Sequence, residues 1–175
     1  MKIEYLLNSF FYYYLNFYVM EKFKFVDASF KEVSLNESQE QCFAVDLGVR
    51  HGYAKRWLPM ENIHFFVSAC PWAKGLDKKE AEKFIFALKQ RNPEVQFSLP
   101  NLEQIIKLNL MGNINNFQIL DCWTSSYRLD KHGRLEGFCS LKDGQQIVDL
   151  GENKADVYVL FGFTPQQEKE IVFPE

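Results

Sequence analysis

At 175 residues the chain has room for one domain of ordinary size with an added arm, and too little for two independent cores. A composition of 47% hydrophobic and 25% charged residues, with only 9 Gly and 6 Pro, excludes a disordered, collagen-like or coiled-coil chain and predicts a packed globule. Lys and Arg number 20 against 23 Asp and Glu, and a net charge of -3 supplies no field for holding a nucleic-acid backbone, so no nucleic-acid partner is expected.

The first element is an uncharged aromatic run, YLLNSFFYYYLNFYVM, from Tyr5 to Met20. A membrane span needs roughly 20 mostly apolar residues. This run is shorter and carries Asn8, Ser9 and Asn16, so no span is expected. A secretory signal matches poorly, because Lys2 is the one basic residue ahead of the run and the charged EKFK stretch precedes a small-residue site near Ala28. Residues 1–20 are expected to form an aromatic arm, helix or strand, that packs on the domain 21–163 or docks on a partner through Phe10, Phe11, Tyr12, Tyr13, Tyr14 and Phe17. Met20 is read as a second candidate start.

From Lys22 the stretch KFKFV alternates polar and apolar, and CFAV (Cys42 to Val45) and HFFVSAC (His64 to Cys70) are apolar runs of strand length. The glycines of the Gly48-to-Gly52 stretch lack the Lys-Ser/Thr ending of a phosphate loop and predict a turn. Asp77 then stands three residues ahead of Glu80, the spacing of a capping box, and Ala81, Phe84, Ile85 and Leu88 repeat at helical period. That predicts one amphipathic helix ending near Asn92–Pro93. A second starts the same way, with Asn101 ahead of Gln104, an apolar face of Leu102, Ile105 and Ile106, and Gly112 as the stop. Beyond it, turn signals at His132–Gly133, Asp143–Gly144 and Gly151 to Asn153 separate four predicted strands: Ile119 to Tyr127, Leu135 to Leu141, Gln145 to Leu150 and Val157 to Phe163. These read as an antiparallel meander, and residues 164–175 as a loose polar tail. With no βαβ alternation, the order is α+β.

Cys42, Cys70, Cys122 and Cys139 are too few and too scattered for a disulfide scaffold or a structural zinc site, and they read as buried thiols. Cys122 and Cys139 are equidistant from the Asp130–Lys131 midpoint, so a symmetric hairpin turning there sets them opposite each other. A disulfide between them is then open but not required.

Several of these segments together carry a resemblance. FSLPNLEQI (Phe97 to Ile105) resembles the "W-R-L-P-T-x-x-E-L" signature of bacterial C-type-lectin-like domains. CWTSS (Cys122 to Ser126) is similar to their "Y-W-S-S" strand, and FCSLKDGQQIVDL followed by VYVLFGF resembles their closing hairpin and last strand. The helix KKEAEKFIFALKQ sits where the family has "A-x-x-Y-C-x-x-L", and the likeness runs from about Phe65 to Phe163, in matching order. The family is a group of unknown function related to formylglycine-generating enzymes and to the variable proteins of diversity-generating retroelements. The resemblance implies a C-type-lectin-like α+β fold of two helices followed by an antiparallel strand meander, in adhesins or ligand-binding modules of bacteria, in cytoplasm or at the cell surface. Ser98 replaces the usual Arg before Leu-Pro, and Phe161 and Gly162 stand where the last strand commonly carries arginine.

A formylglycine-generating-type enzyme would need paired reactive cysteines near its C-terminal end; Cys139 has no such partner and no adjacent base to lower its pKa. Calcium-dependent sugar binding would need a Glu-Pro-Asn-type loop and a Trp-Asn-Asp strand, and Asn92–Pro93–Glu94 reads as a helix-ending turn. His51, His64 and His132 are far apart and without ligand spacing. Lys78, Lys79, Lys83 and Lys89, interleaved with Glu80 and Glu82, read as a solvated helix face. No cofactor and no metal are therefore expected. Trp123 is a core residue in the pattern it resembles, with ligand stacking as the alternative. Tyr127, Arg128, Asp130, Lys131 and His132 are the remaining binding candidates, one aromatic and several polar groups on one hairpin. The sequence thus points to a non-enzymatic module binding a protein or a glycan. The alternative is a structural subunit of a larger assembly, homo- or hetero-oligomeric, docked by the aromatic arm.

Overall fold

Both predicted helices begin where their caps require. In a computed structural model describing residues 24–33, 42–51, 62–112, 117–164 and 170–175, Asp77 Oδ1 accepts the Glu80 N–H at 2.8 Å while Glu80 Oε2 accepts the Asp77 N–H at 2.9 Å. That reciprocal pair opens α1 (Lys78–Arg91). Asn101 and Gln104 repeat the exchange at 2.8 Å each way, and α2 (Leu102–Gly112) follows. Ala81, Ile85 and Leu88 are the buried apolar side of α1. On α2 the buried residues are Ile105 and Leu108; Ile106, expected on the inner face, is 44% exposed, because a period of 3.6 turns it away from Ile105 and Leu108.

Eleven strands are described in three antiparallel sheets. They are β1 (Lys24–Val26), β2 (Glu32–Val33), β3 (Ala44–His51), β4 (Asn62–Ser68), β5 (Ala73–Leu76), β6 (Gln96–Ser98), β7 (Cys122–Leu129), β8 (Leu135–Lys142), β9 (Gln145–Asp149), β10 (Ala155–Val157) and β11 (Leu160–Phe163). The largest sheet has the order β2-β1-β3-β4-β11-β6, β10 pairs with β5, and β7-β8-β9 form the third. The fold is thus mixed α and β, with two helices and antiparallel strands among the described residues.

The large sheet is buried on both faces because successive residues of one strand point opposite ways. Phe66 of β4 joins a cluster with Phe97, Phe161, Phe163, Trp123 and the α1 side chains. Its neighbour Val67 joins the other cluster, with Val45, Ile105, Leu108, Ile119 and Leu141. α1 therefore covers one face and α2 the other. The first cluster is a stack of rings: Phe66 lies 5.4 Å from Phe161 at an interplanar angle of 17°. Phe30 closes it with its ring 5.0 Å from Phe163 and 5.1 Å from Phe66, held at φ 59 by an Asp27 turn whose carboxylate accepts the N–H groups of Ser29 and Lys31. The left-handed backbone costs about 1 kcal/mol, which the ring contacts offset.

Four expectations are corrected. The run VYVLFGF does not add a fourth strand to the meander; it divides into β10 and β11, which serve the two other sheets. The break lies at Tyr158 and Val159, where Ser68 Oγ accepts the Val159 N–H at 2.9 Å and the Ser68 N–H donates to the Val159 carbonyl at 2.9 Å. Gly48 is no turn either: it sits inside β3 at φ 78, next to a bulge that leaves Leu47 as the extra residue opposite β4. The described end of the tail, residues 170–175, is anchored, for Ile171 is buried and Asn92 grips Val172 in both directions, accepting its N–H and donating to its carbonyl at 2.8 Å each. Phe173 sets its edge on Trp72 at 4.8 Å.

The hairpin of β7 and β8 supplies the fourth. Cys122 pairs with Leu141 and Cys139 with Val148, so the two cysteines are not opposite, and neither is in a disulfide. Three features set the register, one of them Glu136, an extra residue of β8 between the pairs Arg128–Gly137 and Leu129–Leu135. The loop is built on Asp130, so Leu129 faces Leu135 and the turn centres on His132. In addition, β7 carries two extra residues between Trp123 and Tyr127, where the Ser125 N–H donates to the Pro100 carbonyl and Ser126 Oγ accepts the Leu102 N–H of α2. The Asn92–Pro93–Glu94 stretch is the expected turn, with the Val95 N–H donating to the Asn92 carbonyl at 3.0 Å. Phe10, Phe11, Tyr12, Tyr13, Tyr14 and Phe17 lie outside the described residues.

Candidate functional site

The outer part of the β7–β8 hairpin extends past the end of β9, which pairs with β8 only from Phe138 to Lys142. Beyond that point it is a two-stranded ribbon. Asp130 fixes its tip: Oδ1 accepts the N–H groups of His132 at 2.7 Å and Arg134 at 2.9 Å, and the Asp130 N–H donates to the Arg134 carbonyl at 2.8 Å. These donors, the Arg134 N–H foremost, hold the Asp130 carboxyl below its ordinary range. Arg134 Nε returns to Asp130 Oδ2 at 3.4 Å, and Arg128 Nε bonds Glu136 Oε2 across the strands. The Glu136 hydrogen bond in turn raises the Arg128 guanidinium.

The ribbon therefore combines locked charges with exposed apolar side chains. Tyr127 is 60% exposed, and Leu129 and Leu135, paired directly across the ladder, are 50% exposed each. Lys131 and His132 stand exposed at the tip, with no ion pair among the described residues. Of the sequence-selected candidates, Tyr127, Arg128, Asp130, Lys131 and His132 are brought together here. Trp123 is not, for it is fully buried and its Nε1 donates to the Leu76 carbonyl at 2.7 Å. Leu129, Leu135, Arg134 and Glu136 were not selected from sequence. The turn-flanking leucines carried a usable signal, since apolar residues beside a polar loop face solvent once the loop leaves the body.

Two further polar groups lie elsewhere. Lys78, expected on a solvated helix face, is 5% exposed, and its Nζ donates to the Thr124 carbonyl at 2.7 Å and lies 5.0 Å from the Phe138 ring centroid. Burial drives its pKa down, against the opposing pull of Glu82 and Asp149. Its burial has a steric cause: as the first residue of α1, Lys78 sits beneath the three-stranded sheet, with Gly151 against its stem. His64 Nε2 is 2.6 Å from Asp46 Oδ1, which also accepts the Gly48 N–H, and the imidazole lies 4.3 Å from the Phe66 ring. Nothing in the sequence joined residues 46 and 64; only the β3–β4 register does. His51 ends β3, far from the ribbon in sequence, and among the described residues no three His, Cys, Asp or Glu side chains gather as a metal site.

Cys42, Cys122 and Cys139 are buried and Cys70 is half-buried. Burial pushes the Cys122 thiol up to about 12 and raises the neighbouring Tyr158 hydroxyl as well. Cys139 is buried in β8, with Gln146 Nε2 at 3.9 Å from its sulfur. No helix among the described residues is long and apolar enough to cross a membrane. No protein-family model, no curated protein and no solved structure matches the chain.

Proposed function

We propose that this protein is a non-enzymatic binding module with a C-type-lectin-like arrangement, recognising a protein or glycan through the β7–β8 ribbon. Support for the arrangement comes from the element order: two capped helices, a three-stranded meander, and a last strand, β11, returning to lie beside β4. The observation that carries the binding reading is the exposed Tyr127, Leu129 and Leu135 on a ribbon whose tip is fixed by Asp130. A preorganised tip loses little entropy on binding, and one aromatic with two leucines supplies contact area that a solvated turn would not display.

The test is a screen of the full chain against immobilised glycans and a displayed peptide library, repeated with Tyr127→Ala and with Leu129→Ser. Each substitution is expected to weaken the selected ligand about tenfold, which is ~1.4 kcal/mol. A ligand indifferent to both substitutions, or the absence of any ligand in both screens, overturns the assignment.

A further inference from the structure

The three-stranded sheet ends on β9, and among the described residues no strand pairs with its outer edge. Asp143 and Gly144, at φ 50 and 75, make the two-residue primed turn between β8 and β9. Lys142 and Gln145 close the ladder at that turn, so strand alternation sends the backbone groups of Gln145, Ile147 and Asp149 toward β8 and those of Gln146 and Val148 outward. Among the described residues, no backbone or side-chain group takes up the outward N–H and C=O groups of Gln146 and Val148.

Natural sheets blunt such edges with lysine, proline, bulges or covering segments. The other edge of this sheet, β7, is bulged and tied to Pro100 and Leu102. The β2 edge of the large sheet has two residues, with Glu32 paired to Lys24 at 3.3 Å. By contrast β9, QQIVD, has no lysine, arginine or proline, and its register with β8 runs unbroken from Gln145 to Asp149.

We propose that β9 pairs antiparallel with β9 of a second copy of this chain, about a two-fold axis through Ile147. Strand symmetry then fixes the partners: Gln145 meets Asp149, Gln146 meets Val148, and Ile147 meets Ile147. No like charges face each other. The Gln145 amide can donate to the Asp149 carboxylate, each Gln146–Val148 pair exchanges N–H···O=C bonds in both directions, and the isoleucines pack at close range on the axis. The strand is therefore complementary to itself in hydrogen bonding and in charge. The joined sheets run continuously through both molecules, and the ribbon tips remain free for the recognition proposed above.

The experiment is the solution mass of the full chain by light scattering across a dilution series. The mass is expected to rise from one chain toward two with concentration. Gln146→Pro removes an outward N–H and leaves the backbone ladder to β8 in place, so dimerisation should weaken. Ile147→Lys and Ile147→Glu put like charges together on the axis and should each give a monomer, while their equimolar mixture regains the dimer mass. A wild-type monomer at every concentration overturns the proposal and leaves the edge to a segment of another protein. So does a dimer that survives Ile147→Lys, or a mixture that fails to reassociate.

Discussion

The Lys78 ammonium has given up most of its water for one carbonyl at 2.7 Å and the faces of Trp123 and Phe138. Desolvation disfavours the charged form, and here it outweighs the carboxylates of Glu82 and Asp149, so the folded pKa lies below the ordinary value near 10.5. The sign of the pH effect follows. Below the folded pKa both states are protonated and the full burial penalty is present; above it and up to the unfolded value, the unfolded chain binds more protons, so stability rises with pH. Urea unfolding of wild type and Lys78→Met from about pH 7 to about pH 10 should therefore show the wild type gaining on the variant as pH rises. Parallel profiles would mean that the Lys78 pKa is not lowered. The sequence did not reveal this burial, because Lys78 opens α1 among charged neighbours and only the packing of a distant hairpin covers it.

Elements defined by local chemistry were legible, and those defined by register were not. Both capping boxes could be read from a spacing of three, since their hydrogen bonds close within one turn. The β8–β9 turn at Asp143–Gly144 could be read for the same reason. The β7–β8 register could not, because it depends on a bulge that Pro100 and Leu102 stabilise from outside the hairpin. Tyr127, Arg128, Asp130, Lys131 and His132 were found by proximity in sequence, whereas the Arg128–Glu136 pair awaited the register. One glycine marks how tightly β8 and β9 approach. A Cβ on Gly137 would stand 2.5 Å from the Asp149 carbonyl oxygen, backbone that can move only by displacing β9. Gly137→Ala should cost about 1–3 kcal/mol in urea unfolding and speed amide exchange along β9. Gly133→Ala, at φ 74 with nothing within 4 Å, should cost only the left-handed backbone, about 1 kcal/mol, and leave β9 exchange unchanged.

At the scale of the whole molecule, the two apolar clusters are separate in space but share strands. β4 gives Phe66 to one and Val67 to the other, and β7 divides Trp123 and Cys122 in the same way. Neither face can open without releasing a strand the other needs, which makes a single unfolding transition the expected behaviour. Two probes report on the two clusters. With Trp57→Phe in place, tryptophan fluorescence comes from Trp72 and Trp123 and follows the first, and alkylation of Cys122 follows the second, because thiol reagents attack the thiolate and burial holds this thiol up at about 12. Fluorescence and peptide-resolved labelling of Cys122 should therefore give the same urea midpoint. Phe161→Ala removes a fully buried ring from the first cluster and should cost about 3–5 kcal/mol. If the clusters are coupled through β4, it must advance Cys122 labelling by as much as it advances the fluorescence change, although Phe161 belongs to the other cluster. A fluorescence midpoint that falls while the labelling midpoint stays would instead describe two faces that unfold independently, with the large sheet persisting under α2 after α1 has left it.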